Sequence, residues 1–389
     1  MENKERALAH VEKIEWIRPI EGADNIELIG VLGWVCIAKK GEFNVGDMAV
    51  YIEIDSKCPE TDERFAFLAN KKFKVKTMKL GKFKVISQGL ALPLSLFPEL
   101  QDRNIGDDVT EALKITYASE EDAARKTNKI DPNAKYKSMA KRRPKLFANP
   151  IVRRIMRYSI GRKIMFLLFG RKKDNPKKFP DWIVKTDETR IENAPFYLQS
   201  TEKWIKTEKC DGTSCTFAVD RLKKGKNKFD FIVCSRNVRQ ADREQACYHE
   251  SNIYWELADK YDIEKILTQF ATENDYNRVV LQGEGVGSVQ GNPYKFTENK
   301  LFVFNLIIDG TRLGTVEMAD FCKSHGLTSV PIIDTAYELP KTMEEMKLEA
   351  DGYSELNPKV KREGFVYRDI SGQKSFKNVS REYLLKHNG

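Results

Sequence analysis

A chain of 389 residues with 41% hydrophobic and 10% aromatic content has apolar material for two or three packed domains, which excludes a disordered protein. Its 66 basic residues against 57 acidic ones give a formal charge of +9, which favours a polyanionic partner unless one basic segment alone supplies the excess. Seven cysteines, odd in number and never spaced Cys-x-x-Cys, exclude a disulfide scaffold and argue against a zinc site. The charged start Met1-Glu2-Asn3-Lys4-Glu5-Arg6 lacks the apolar run of a secretion signal, and no stretch of about 18 apolar residues exists. No membrane span is expected, and the protein is expected inside the cell, in the cytoplasm.

From residue 7 to 117 the chain reads as short strands with turn punctuation. Ile26 to Leu32 and Trp34 to Ala38 flank Gly33, Met48 to Ile54 follows the turn Val45-Gly46-Asp47, and Lys82 to Ser87 and Gly89 to Leu94 complete the set. Runs of this length predict a small barrel, OB-like by preference, with an SH3-like barrel showing much the same pattern.

Between 118 and 178 the composition changes. Residues 141 to 178 hold fourteen Lys or Arg against the single acid Asp174. Arg142, Arg143, Arg153, Arg154, Arg157, Arg162 and Lys163 alternate with Ile151, Val152, Ile155, Met156, Ile160 and Ile164. This reads either as a basic amphipathic helix on an anionic partner or as a linker helix whose apolar face packs on a neighbouring domain.

From Phe179 onward strands and helices alternate as in one α+β domain, and the chemistry lies there. Lys209-Cys210-Asp211-Gly212 places an amine beside a turn with a carboxylate two residues on. That pattern suits a lysine nucleophile, although a solvated hairpin turn reads the same way. Phe231 to Asn237 is a strand ending on Arg236, either a surface residue or a bidentate phosphate ligand. Val279 to Gly287 is a buried strand with Glu284 between glycines, and it does not fit a P-loop. Leu301 to Ile308 is a central strand whose aromatics are core by default, unless one offers its face to a purine. Glu363 to Arg368 and Lys374 to Ser380 bring a second carboxylate and further lysines.

The order lysine, arginine, glutamate, aromatic strand, glutamate, lysine resembles the covalent nucleotidyltransferases: RNA ligases, DNA ligases and capping enzymes. With Gly33-Trp34, Lys39 to Phe43, Ser87 to Leu90 and Lys185 to Asn193, the whole chain resembles the Deinococcus-type nick-sealing RNA ligase family. The resemblance implies an α+β protein: an OB-like domain over 1–117, a basic, partly helical linker or insertion over 118–178, and a nucleotidyltransferase domain over 179–389. Only twelve residues follow Lys377, which leaves no room for the trailing OB domain of DNA ligases and capping enzymes.

The resemblance further implies that Lys209 attacks the α-phosphorus of ATP to form lysyl-AMP. AMP then passes to an RNA 5′-phosphate, and a 3′-hydroxyl displaces it to seal the break. The catalytic set it implies is Lys209, Asp211, Glu284, Glu363 and Lys377, with Asp211, Glu284 and Glu363 holding Mg2+ or Mn2+ through water. Nucleotide contacts fall to Glu208, Arg190, Arg236, Phe304 and Lys377, with Phe304 stacking on adenine and Lys377 on the α-phosphate. A divalent cation and Lys377 together are expected to depress the pKa of Lys209. Family members often carry two lysines spaced two apart in the last motif; here Ser375 and Val379 stand at those places, leaving Lys374 as a poorly placed second phosphate ligand. The substrate expected is RNA or a nicked duplex containing RNA, handled by a monomer. The rivals are another covalent nucleotidyltransferase and a noncatalytic RNA-binding protein with an OB domain.

Overall fold

Short, mostly apolar runs separated by turns close the first part of the chain into a barrel. The computed structural model describes residues 7–118, 144–169, 177–222, 228–240 and 252–387. Five antiparallel strands lie in the order Trp34–Lys39, Ile26–Val31, Ala9–Pro19, Met48–Ile52, Leu90–Pro93. The Gln88 N–H donates to the Val35 carbonyl at 2.8 Å and so joins the last strand back to the first of that order. Ile29 and Val31, Trp34 and Cys36, Ala49 and Tyr51, with Ile14 and Ala91, point inward at the period of two that a strand imposes. On the other face Val11, Val50, Ile52 and Leu92 lie under Phe65, Leu68 and Phe97. The closed order is that of the OB-type barrel expected. Ala9–Pro19, the longest strand of the barrel, was not foreseen as a strand: it is covered on both faces at its start and buries His10 and Glu12 as a hydrogen-bonded pair at 2.8 Å.

Downstream, two antiparallel sheets share the second domain. The larger runs Lys177–Lys178, Val238–Arg239, Phe229–Cys234, Thr213–Arg221, Arg278–Val286, Lys300–Ile308, Thr311–Arg312; the smaller runs Ile332–Tyr337, Trp204–Lys209, Gly364–Asp369, Ser375–Val379. Helix Ile263–Glu273 buries Ile263, Leu267 and Ala271, spaced four apart, against Phe217, Val279 and Leu281 of the larger sheet. Helix Met343–Ala350 starts from a capping box of Thr342 and Glu345.

The barrel is tied to this domain by polar contacts and a shared core. Val379 and Leu384 join the barrel interior. The Gly33 N–H donates to Glu192 O at 2.8 Å, Trp34 Nε1 to Asn193 Oδ1 at 2.5 Å, and buried Lys347 Nζ to Gly33 O at 2.9 Å.

Residues 118–175 form a separate unit. Its described part holds three short helices, Pro144–Ala148, Pro150–Met156 and Ser159–Phe169, the second capped by Asn149, whose side chain accepts from the Ile151 N–H at 2.9 Å. The basic helix is therefore broken, and Arg142, Arg143 and Cys247 lie outside the described residues. Among the described residues no helix is long and apolar enough to cross a membrane.

Candidate active site

Lys209 ends strand Trp204–Lys209 opposite Gly364, and Cys210-Asp211-Gly212 then carries the chain from the smaller sheet into Thr213–Arg221 of the larger one. The crossing leaves no room at Gly212: a Cβ there would stand 2.4 Å from the Gly285 carbonyl oxygen and 2.8 Å from Val286 Cγ1. The glycine of the motif is thus a packing requirement of the junction, and the lysine is held where the two sheets meet.

Three carboxylates act on that lysine. Lys209 Nζ lies 2.8 Å from Glu363 Oε1, at the start of strand Gly364–Asp369. Glu284 comes from Arg278–Val286, opposite Ser214. Burial works against the Lys209 charge, but Glu363, Glu284 and Asp211 outweigh it and push its pKa up to about 12. The carboxylates by themselves hold the amine as an ammonium, so a divalent cation and Lys377 would have to offset them for the expected depression. Burial also drives the Glu284 carboxyl up to about 8, against the pull of Lys209 and with the help of Glu363 and Asp211. Asp211 is fixed from two sides: its N–H donates to the Tyr294 hydroxyl at 2.7 Å, and its carboxylate meets the Tyr383 hydroxyl.

Cys210 faces the other way, into Val286, Tyr294, Phe302 and Val330. Burial pushes its thiol well above the ordinary value, so a thiolate is strongly disfavoured there. Phe304 is half-buried against the same cluster.

A second focus forms around Asp187. Lys377 Nζ lies 2.7 Å from its Oδ1 and Arg236 Nη2 lies 3.2 Å from its Oδ2, so one carboxylate holds side by side a cation from a strand and one from the bend after strand Phe229–Cys234. Sequence reasoning gave Asp187 no role. It also missed Glu188, which is wedged between Arg368 at 3.0 Å and Arg312 at 3.5 Å and bonded to Ser375. Burial opposes its charge, but the two guanidiniums hold its carboxyl below the usual range. That cluster fixes the segment bearing Asp187 to the strand bearing Lys377.

Three expected contacts fall elsewhere. Glu208 precedes Lys209 on a strand and so points to the opposite side, where its oxygens accept from Ser354 Oγ at 2.5 Å and the Glu355 N–H at 2.7 Å. Arg190 turns to the barrel, with Nη2 3.1 Å from Asp55 Oδ2 and its guanidinium 5.8 Å from the Trp34 ring; only its backbone bridges to Lys377. Lys374 is exposed and paired with Glu202 at 2.6 Å, away from Lys377's partner.

Comparison with known proteins gives a consistent picture. A family model for an OB-fold domain matches residues 8–94, and one for RNA ligase matches residues 202–385. Among solved structures the chain is similar to Naegleria gruberi RNA ligase with PPi, at 31% identity and a TM-score of 0.75, covering 98% of this chain and 99% of that one. A mutant of that ligase with ATP and Mn matches at 30% identity and a TM-score of 0.74, covering 98% of this chain and 99% of that one. Another, with AMP and Mn, matches at 30% identity and a TM-score of 0.75 with the same coverage. No curated protein matches.

Proposed function

The chain belongs to the RNA ligase family, and from that premise we propose that it seals breaks between an RNA 3′-hydroxyl and a 5′-phosphate, most naturally nicks bridged by a complementary strand. As an ATP-dependent RNA ligase it takes AMP from ATP onto Lys209 with release of pyrophosphate, passes the AMP to the 5′-phosphate, and releases it when the 3′-hydroxyl attacks that phosphate to form the phosphodiester. The observation behind this reading is the buried Lys209–Glu363 pair at the junction of two sheets, with Glu284 and Asp211 acting on the same amine.

Each step is a displacement at phosphorus, so the protein's work is alignment and charge neutralisation. Gly212, three residues after Lys209, and Gly364, opposite it in the sheet, permit close backbone approach to Gly285 and to Asn378 beside the lysine. Glu363 accepts a hydrogen bond from the ammonium and is placed to take its proton before attack. Lys377 and Arg236, held together by Asp187, present two positive charges to phosphate oxygens. Phe304 gives the adenine an apolar face beside the Cys210 cluster.

The residues fit a divalent cation of the hard, oxygen-seeking kind. Asp211, Glu284 and Glu363 are an all-carboxylate set, and burial together with the other two acids raises the Glu284 carboxyl, as when negative charge is in excess. When bound, Mg2+ or Mn2+ would offset this negative charge and that of the phosphates.

The test is incubation with α-labelled ATP and Mg2+ or Mn2+, followed by mapping of the label. Label is expected on Lys209 and lost in Lys209→Arg, since a guanidinium does not deprotonate near neutral pH. Retained labelling of that variant refutes the assignment.

A further inference from the structure

We propose that the last two helices of the unit 118–175 form a docking surface for an anionic lipid bilayer. Their sequence holds one pattern twice, nine residues apart: Ile151-Val152-Arg153-Arg154-Ile155-Met156 and Ile160-Gly161-Arg162-Lys163-Ile164-Met165. Each copy falls on its own helix, Pro150–Met156 and Ser159–Phe169. Isoleucines four apart share a helix face, and the basic residue before the second isoleucine borders it. In both copies that face is turned outward: Ile151, Ile155, Ile160 and Ile164 are exposed together with Arg154 and Lys163, whereas Met156 is half-buried and Met165 buried. The chain turns so tightly between the helices that a Cβ at Gly161 would collide with the Ile155 carbonyl oxygen, which keeps the two copies adjacent.

Of the eighteen exposed large hydrophobics among the described residues, six lie within 151–168: the four isoleucines, Tyr158 and Leu168. A linker helix packed on a neighbouring domain would cover its isoleucines, yet Ile151 and Ile160 are 68% and 70% exposed. Apolar side chains gathered in this way mark a surface that another body covers. The charge around them has one sign, since no acid occurs from Lys141 to Lys173. Arg153, Arg154, Arg157 and Lys163 are all exposed. The covering body is therefore both apolar and anionic.

An anionic bilayer meets both demands. A nucleic acid backbone suits the basic groups but gives the aliphatic side chains nothing to enter. An acidic protein groove takes both kinds of group, but it receives one continuous amphipathic helix with anchors over several turns. Here the run is broken into helices of 7 and 11 residues, and Met165 already faces inward. A bilayer surface needs no such continuity: the isoleucines and Leu168 enter the acyl boundary, Tyr158 sits at headgroup level, and the basic groups meet anionic headgroups. The helices lie on the membrane and do not cross it, because the longer rises only about 16 Å against a hydrocarbon core of about 30 Å.

This inference stands apart from the ligase reading, since no residue of the candidate active site lies in 118–175. The experiment floats the full chain with vesicles of phosphatidylcholine alone, or of equal parts phosphatidylcholine and phosphatidylserine. The parent is expected to bind the anionic vesicles at least about tenfold more tightly than the neutral ones, and less tightly as salt rises. Ile151→Ser/Ile155→Ser/Ile160→Ser/Ile164→Ser keeps the charges and should lose at least about tenfold in affinity for anionic vesicles. Arg154→Gln/Arg157→Gln/Lys163→Gln keeps the apolar anchors and should lose about fivefold per charge removed, on anionic vesicles only. Both variants change exposed side chains, so ATP labelling of Lys209 is expected to equal that of the parent. A parent that binds neither kind of vesicle, or both equally, overturns the proposal, and so does a serine variant that binds as the parent does. Vesicle binding unchanged in both variants, with a nicked RNA duplex lost by the glutamine variant, overturns it in favour of nucleic acid. Absence of label in all three proteins instead refutes the ligase reading, and the vesicle measurement still decides the docking.

Discussion

His10 in the first barrel strand should make stability fall as pH rises above neutrality. It is 6% exposed, with Nδ1 2.8 Å from Glu12 Oε1 and Nε2 3.5 Å from Glu53 Oε1, and its ring meets the Tyr51 ring edge-on at 5.3 Å. Burial alone would lower its pKa, but the two carboxylates win and raise it from 6.5 to about 9. A group bound more tightly to its proton in the folded state stabilises fully below its unfolded pKa. The gain is lost as pH climbs through the folded one, so the window here is 6.5 to about 9. At ~1.4 kcal/mol per pKa unit the gain is about 3 kcal/mol, or several degrees in Tm for a protein of this size. Glu53 also accepts from the Asn193 amide, and Asn193 holds the Trp34 indole, so the loss should loosen the barrel from the catalytic domain. The assay is denaturant unfolding followed by tryptophan fluorescence at about pH 6 and about pH 9.5, for the parent and His10→Gln. The stability gap between them should be larger by about 3 kcal/mol at the lower pH. Groups that titrate in both proteins, Glu284 among them, cancel in that comparison. A gap of equal size at both values refutes the reasoning and means that His10 is neutral in the fold throughout.

Gly212→Ala should cost at least about 2 kcal/mol and sharply reduce labelling, because the new Cβ meets the Gly285 carbonyl oxygen at 2.4 Å and neither backbone can yield; thermal unfolding with the labelling assay checks both. Cys210→Ala should label within a few-fold of the parent, since burial keeps that thiol protonated; a hundredfold loss would point back to a thiol. Asp55→Ala removes the carboxylate facing buried Arg190, whose Nε and Nη1 have no partner among the described residues, and should destabilise by about 3 kcal/mol. Below its transition temperature that variant should still label Lys209 while sealing nicked RNA more slowly.

Residue identity made half of this site legible, and its three-dimensional surroundings decided the rest. Lys209 could be picked out from the Lys-Cys-Asp-Gly turn that ends its strand, Glu284 because it interrupts an apolar strand between two glycines, and Glu363 because it stands just before another strand. Trp34–Lys39 could be read because it is an apolar run bounded by Gly33 and by Lys39-Lys40-Gly41, and one of its faces fills the barrel. Ala9–Pro19 could not, because its charged residues are buried against each other. Asp187 was invisible for a different reason: it joins Lys377 and Arg236, which lie far from it in sequence, and no local pattern marks such a bridge. Arg190 belongs to the right stretch but is drawn to Asp55, 135 residues earlier, by a docking that only the tertiary fold sets. The charge state of Lys209 shows the same limit most sharply. A lysine among prospective phosphate ligands reads as an amine made easier to deprotonate, yet the carboxylates that qualify it for metal-assisted chemistry hold its proton on. Sequence order names the groups that meet, whereas the sign of their net effect depends on which of them stands nearest.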